Sequence, residues 1–124
     1  MAPQKDDAVA FSMPGGESSG PMSARPVDLI HLGRQTMGDR ALEQEVLDLF
    51  VHQALQVRDR IGGAGTQERL ELAHALKGAA RGVGAFAIAD CAVEIENRPQ
   101  DQHVLERLAT LIDELRDFVA AISR

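Results

Sequence analysis

Tryptophan and tyrosine are absent from this 124-residue chain, phenylalanine occurs four times and cysteine once. Without aromatic platforms a single-strand nucleic-acid binder has nothing on which to stack bases. A formal charge of −6 removes the basic footprint that a nucleic-acid partner requires. The lone thiol, Cys91, has no internal partner for a disulfide, so a reducing, cytoplasmic setting is expected. No stretch approaches the roughly 18 apolar residues that span a bilayer. The first residues lack the apolar core of a signal peptide and any lipidation motif, so a protein with no membrane attachment is expected. Alternation of apolar and polar residues, the mark of a half-buried strand, is also missing.

What is present is helical periodicity, with 44% hydrophobic residues, enough for one real core. Residues 1–26 hold four of the five prolines among Gly, Ser and scattered charge, and read as a disordered leader. From Val27 to Arg124 the chain predicts a single helical domain. A short helix runs from Val27 to about Met37 and stops at Gly38. Asp39 then caps a long helix to Ile61, with Leu42, Val46, Leu49, Phe50, Ala54, Val57 and Ile61 as its expected apolar stripe. Gly62-Gly63-Ala64-Gly65 ends it, and Thr66 is expected to cap the third helix. That helix should break around Gly82-Val83-Gly84, a fourth should cover about Ala85 to Asn97 before Pro99, and Asp101 should cap the fifth. Amphipathic helices joined by short turns predict an all-α, up-and-down four-helix bundle with a short extra N-terminal helix.

The most informative stretch is residues 71–84, ELAHALKGAARGVG. Glycine inside a helix costs about 1 kcal/mol relative to alanine, yet Gly78 and Gly82 recur here beside a histidine and a lysine. Leu70, Ala73, Leu76, Ala80 and Val83 make one apolar stripe, and His74 falls roughly 120° from its centre. Glu71, His74, Gly78 and Gly82 therefore run down the outward face, with Arg81 on its edge and Lys77 nearer the core. Residues three and four apart are neighbours on a helix, so a cation with three donors and a residue with no side chain flank the ring. An imidazole on a bare patch beside a cation suits a transient anionic group on nitrogen, namely a phosphoryl.

The run His74-Ala75-Leu76-Lys77-Gly78, followed by Gly84, Ile88, Cys91, Ile95 and Glu96, resembles the signature of histidine-containing phosphotransfer domains. That pattern is a His-x-Leu-Lys-Gly core, a glycine ten residues after the histidine, and a Leu…Cys…Leu-Glu tail; here isoleucine replaces leucine at two tail positions. The resemblance implies a four-helix bundle in which His74 accepts a phosphoryl group from an aspartyl phosphate on one receiver domain and passes it to another. It implies receiver domains of a hybrid sensor histidine kinase and of a response regulator as partners, and a carrier without catalytic activity of its own. Lys77 would stabilise the phosphoryl oxygens. Glu71, Ala75, Gly78, Arg81, Gly82 and Phe86 would meet the partner, with Ala75, Ala79 and Phe86 forming an apolar patch beside His74. Gly84 and Cys91 would be structural. No acidic cluster beside His74 is evident from the sequence, so the magnesium ion is expected from the receiver, and the chain is expected to be monomeric and to have no cofactor of its own.

Two other readings fit the same residues. Glu71-x-x-His74 has the spacing of a bundle metal site, but such sites need a second copy and two more inward glutamates. A plain adaptor or dimerisation bundle is compatible with the fold, though it leaves the glycines beside His74 and Lys77 without a purpose. His31, His52 and His103 lack comparable neighbours and are expected to be surface residues, and Cys91 a small buried hydrophobe.

Overall fold

The computed structural model describes residues 25–123, so residues 1–24 of the expected leader lie outside the described residues. It consists of α1 (Leu29–Gln35), α2 (Arg40–Ile61), α3 (Thr66–Val83), α4 (Phe86–Asn97) and α5 (Gln102–Ile122). No strand occurs among the described residues, and no helix there is long and apolar enough to cross a membrane.

Side-chain caps start three of the helices. Asp28, Asp39 and Asp101 each accept from backbone N–H groups of the first turn, at 3.0 Å for His31, Leu42 and His103. The third helix departs from expectation: Gly65 occupies the cap position without a side-chain bond, and Thr66 is already helical. Gly62-Gly63-Ala64-Gly65 needs no further device, because the C-terminus of α2 is held from elsewhere. Arg69, buried in α3, donates from Nε to the Ile61 carbonyl at 2.9 Å and from Nη2 to that of Gly62 at 2.7 Å. Its Nη1 reaches the Pro99 carbonyl at 2.8 Å, tying the α4–α5 connection to the same end of the bundle. A guanidinium whose donors are spent on orphan carbonyls is a buried charge that remains satisfied.

Helices α2 to α5 follow one another around a ring, each packing on its neighbours in sequence, with α5 closing back on α2. Short connections force antiparallel neighbours. The core is filled by Phe50 and Ile61 of α2, Leu76 of α3, Ile88 and Ile95 of α4, and Leu108, Ile112 and Leu115 of α5. On α2 the buried stripe is Leu47, Phe50, Ala54, Val57 and Ile61. Leu42 and Leu49, expected within it, are exposed, Leu49 by 70%. The two stripes have the same 3.6-residue period and lie side by side; the buried one continues through Ala54 and Val57 where the other meets the polar Gln53.

The α3–α4 turn is built on Gly84. Its φ of +91° is left-handed, and its N–H donates to the Ala80 carbonyl at 3.0 Å as a helix-ending cap. Its carbonyl accepts from Asp28 N at 2.9 Å, and a Cβ placed there would lie 2.9 Å from the Asp28 carbonyl. Glycine is thus required twice, for backbone hand and for the close approach of the α1 entry. Beside it, His31 departs from the expected surface role. Its ring meets Phe86 edge-on at 5.2 Å between centroids, and its Nε2 is buried without a hydrogen-bond partner.

Candidate functional site

The outward face of α3 carries His74, whose side chain is 74% exposed, while Lys77 keeps only 20% of its surface. The difference follows from helix geometry: Lys77 lies nearer the apolar stripe, so its stem is covered while its head reaches out. Both side chains converge on Glu96, in the last turn of α4. Lys77 Nζ donates to Glu96 Oε1 at 2.7 Å, and His74 Nδ1 lies 3.1 Å from Glu96 Oε2. One carboxylate therefore anchors both groups.

The Lys77 ammonium, hydrogen-bonded to Glu96, holds that carboxyl below the usual glutamate range; partial burial opposes the shift and His74 adds to it. Glu96 is accordingly ionised at neutral pH and can only accept. The hydrogen bond to His74 then requires a proton on Nδ1, so that in the neutral form of the ring the lone pair sits on Nε2. Burial is also what pushes the Cys91 thiol upward, and its Sγ contacts the Val104 carbonyl at 3.5 Å inside the core. The thiol is packing material rather than chemistry.

Around His74 the surface is bare. A Cβ added at Gly78 or at Gly82 would meet no atom within 4 Å. Nothing among the described residues calls for glycine at either position, in contrast to Gly84. Glu71, exposed one turn before His74, accepts from Gln67 Nε2 at 3.3 Å. Ala75 is exposed and borders a shallow groove between α2 and α3, with Gln53, Val57 and Leu72. Arg81 is exposed and has no ion-pair partner among the described residues. Phe86 is 42% exposed but does not join this patch. It begins α4 at the far end of the hairpin, about 15 Å along that helix from Glu96 by the rise of 1.5 Å per residue, and lines a separate depression with Ile30 and Ala87. The expected grouping of Phe86 with Ala75 and Ala79 beside His74 is therefore corrected.

The sequence left Glu96 without a role beyond its place in the motif. A signal for it exists: Ala85 is the midpoint of positions 74 and 96, so a helical hairpin turning there brings the two opposite one another. Arg69 had no such signal, since the carbonyls it binds come from two separate connections. The Glu71 and His74 pair remains alone on the outer face, and no group of three or more candidate metal ligands occurs among the described residues.

No curated protein and no solved structure matches the chain. A family model described as Hpt domain matches residues 45–120, more than half of the chain, covering all four bundle helices in whole or large part and the entire His74, Lys77 and Glu96 cluster. The chain belongs to the Hpt domain family, the histidine-containing phosphotransfer domains of two-component signalling.

Proposed function

We propose that this chain carries a phosphoryl group on Nε2 of His74, taking it from an aspartyl phosphate on one receiver domain and passing it to an aspartate on another. The observation that carries the proposal is the shared Glu96, which fixes the ring through Nδ1 and leaves Nε2 exposed.

The chemistry follows from that geometry. The Nε2 lone pair attacks phosphorus, the N–P bond forms, and the P–O bond to the aspartyl carboxylate breaks with the electron pair leaving on that oxygen. Nε2 carries no proton, so none has to be removed. The ring acquires positive charge as the bond forms, and the Glu96 carboxylate on Nδ1–H balances it. Lys77 spends one donor on Glu96 and has two left for the phosphoryl oxygens. Transfer of this kind depends on in-line positioning and charge compensation more than on covalent help from the carrier. Glu96 already serves two partners, and the described residues hold no group of three or more candidate metal ligands beside His74. We assign the magnesium ion to the receiver and no cofactor or autonomous catalysis to this chain. A monomer working in the cytoplasm, with a small, transient interface, suits a carrier that must release each partner.

Incubation with a receiver domain bearing labelled phosphate tests the proposal. Wild-type protein should gain an acid-labile, alkali-stable label and His74→Gln none; label retained by that variant refutes the assignment. Lys77→Ala should fold normally and transfer more slowly.

A further inference from the structure

The site is almost neutral as it stands. Lys77 faces Glu96 at 2.7 Å, so the cation next to His74 among the described residues is already balanced by the carboxylate that holds the ring. A phosphoryl group on Nε2 brings up to two further negative charges to a face on which Glu71 also lies. For Lys77 to move fully onto the phosphoryl it would have to abandon Glu96, which would in turn loosen the ring. Lys77 therefore shares its charge between Glu96 and the phosphoryl oxygens, and a second cation that gives up nothing would complete the neutralisation; one stands on the same face.

Arg81 follows His74 by seven residues, about 20° around the helix and about 10 Å along it. Side chains on a helix lean toward its N-terminus, so the long stem of Arg81 can sweep back over the turn that separates it from His74. That turn presents Lys77 on one side, its ammonium held by Glu96, and Gly78 on the other, where even a Cβ would meet nothing within 4 Å. Gly78 thus puts no side chain between Arg81 and His74. Arg81 has no ion pair to break among the described residues. Its guanidinium offers a planar fork that matches two phosphoryl oxygens.

We propose that Arg81 folds back across Gly78 and clamps the phosphoryl group once it is on His74, so that it sets how long the phosphate is held and how the equilibrium with the receiver is poised. The inference rests on the phosphocarrier reading above and goes beyond it: the lane bared by glycine serves an intramolecular contact formed only in the phosphorylated state. Arg81 is here a positioning residue for the phosphoryl oxygens and takes no part in breaking or forming bonds.

The test uses the full chain, labelled by a phosphorylated receiver and then separated from it. In the wild type, the second ionisation of the phosphoryl group, followed by phosphorus NMR, should lie lower than in Arg81→Gln. Hydrolysis without receiver should be faster in Arg81→Gln and Arg81→Ala, and the phosphoryl equilibrium should shift toward the receiver by about five- to tenfold. Arg81→Lys should recover the ionisation in part, since it restores charge without the fork. An unchanged phosphoryl titration in Arg81→Gln overturns the clamp. So does a defect confined to the receiver concentration needed for half-maximal transfer, which would place Arg81 against the partner's surface. Failure of wild-type protein to accept label at all would instead sink the carrier reading itself, so the two failures are distinct.

Discussion

Replacing Gly78 separates what this helix needs for folding from what it needs for its partner. In the interior of an exposed helix face, alanine is better than glycine by about 1 kcal/mol, because less backbone entropy is lost on folding. The structure says that this gain is available at Gly78: an added Cβ meets no atom within 4 Å, and the residue has ordinary helical backbone. For a domain of this size, about 1 kcal/mol corresponds to a rise in Tm of about 4–8 °C. Gly78→Ala should therefore be more stable than the natural protein in thermal and urea unfolding, and Gly82→Ala likewise. Transfer should change in the opposite direction. Gly78 lies one turn from His74 on the same face, so a side chain there stands where a receiver must come within bonding distance of Nε2. Displacing the reacting atoms by about 1 Å can cost about 100-fold, so Gly78→Leu should lose about 10- to 100-fold in transfer rate, with Gly78→Ala between it and wild type. Stopped-flow or quenched transfer assays beside melting curves of the same preparations decide it. Gly78→Ala with a lowered Tm would show that glycine serves the fold; Gly78→Leu with unaltered transfer would show that the bare patch serves no approach.

Three further outcomes follow. Gly84→Ala should destabilise the protein by about 2 kcal/mol or more in urea titration, since φ is +91° there and the new Cβ would press on the Asp28 carbonyl at 2.9 Å; a neutral effect would refute the close approach. Arg69→Met, which keeps the stem and removes the fork, should cost about 2–3 kcal/mol by chemical denaturation, because the Ile61, Gly62 and Pro99 carbonyls lose their donor. Glu96 titrates below its ordinary value of 4.5 in the folded protein, chiefly because of Lys77. Its contribution to stability is thus fully present above that value and is lost as pH falls through the lower folded one. Glu96→Gln should flatten this part of the acid-unfolding profile, and an unchanged profile would mean that the Lys77 pair adds nothing.

The helices were legible because their signals are local. Asp39 and Asp101 cap within three residues of themselves, and the stripe on α3 repeats at the helical period, whereas the first helix, expected from Val27, begins only at Leu29, after the cap Asp28. The exposure of His74 and the partial cover of Lys77 also follow from their angles to one stripe. On α2 that reasoning met two apolar stripes of equal period, and burial of Leu47 rather than Leu49 depends on where the neighbouring helices sit. His31 could not be distinguished from a surface histidine, because Phe86 and the α3–α4 turn that enclose it come from more than fifty residues away.

By itself the sequence determined the number and kind of elements, the face on which His74 stands, and the absence of bulk in front of it. All of these depend on backbone rise, angular advance and side-chain size along one segment. Only the tertiary structure decided that Glu96 joins His74 to Lys77, that Arg69 stitches two connections together, and that Phe86 lies apart from the site. Those outcomes depend on register between helices, which is set by packing over the whole core; the spacing of positions 74 and 96 about the turn hints at the first, and the contacts of Arg69 leave no such trace.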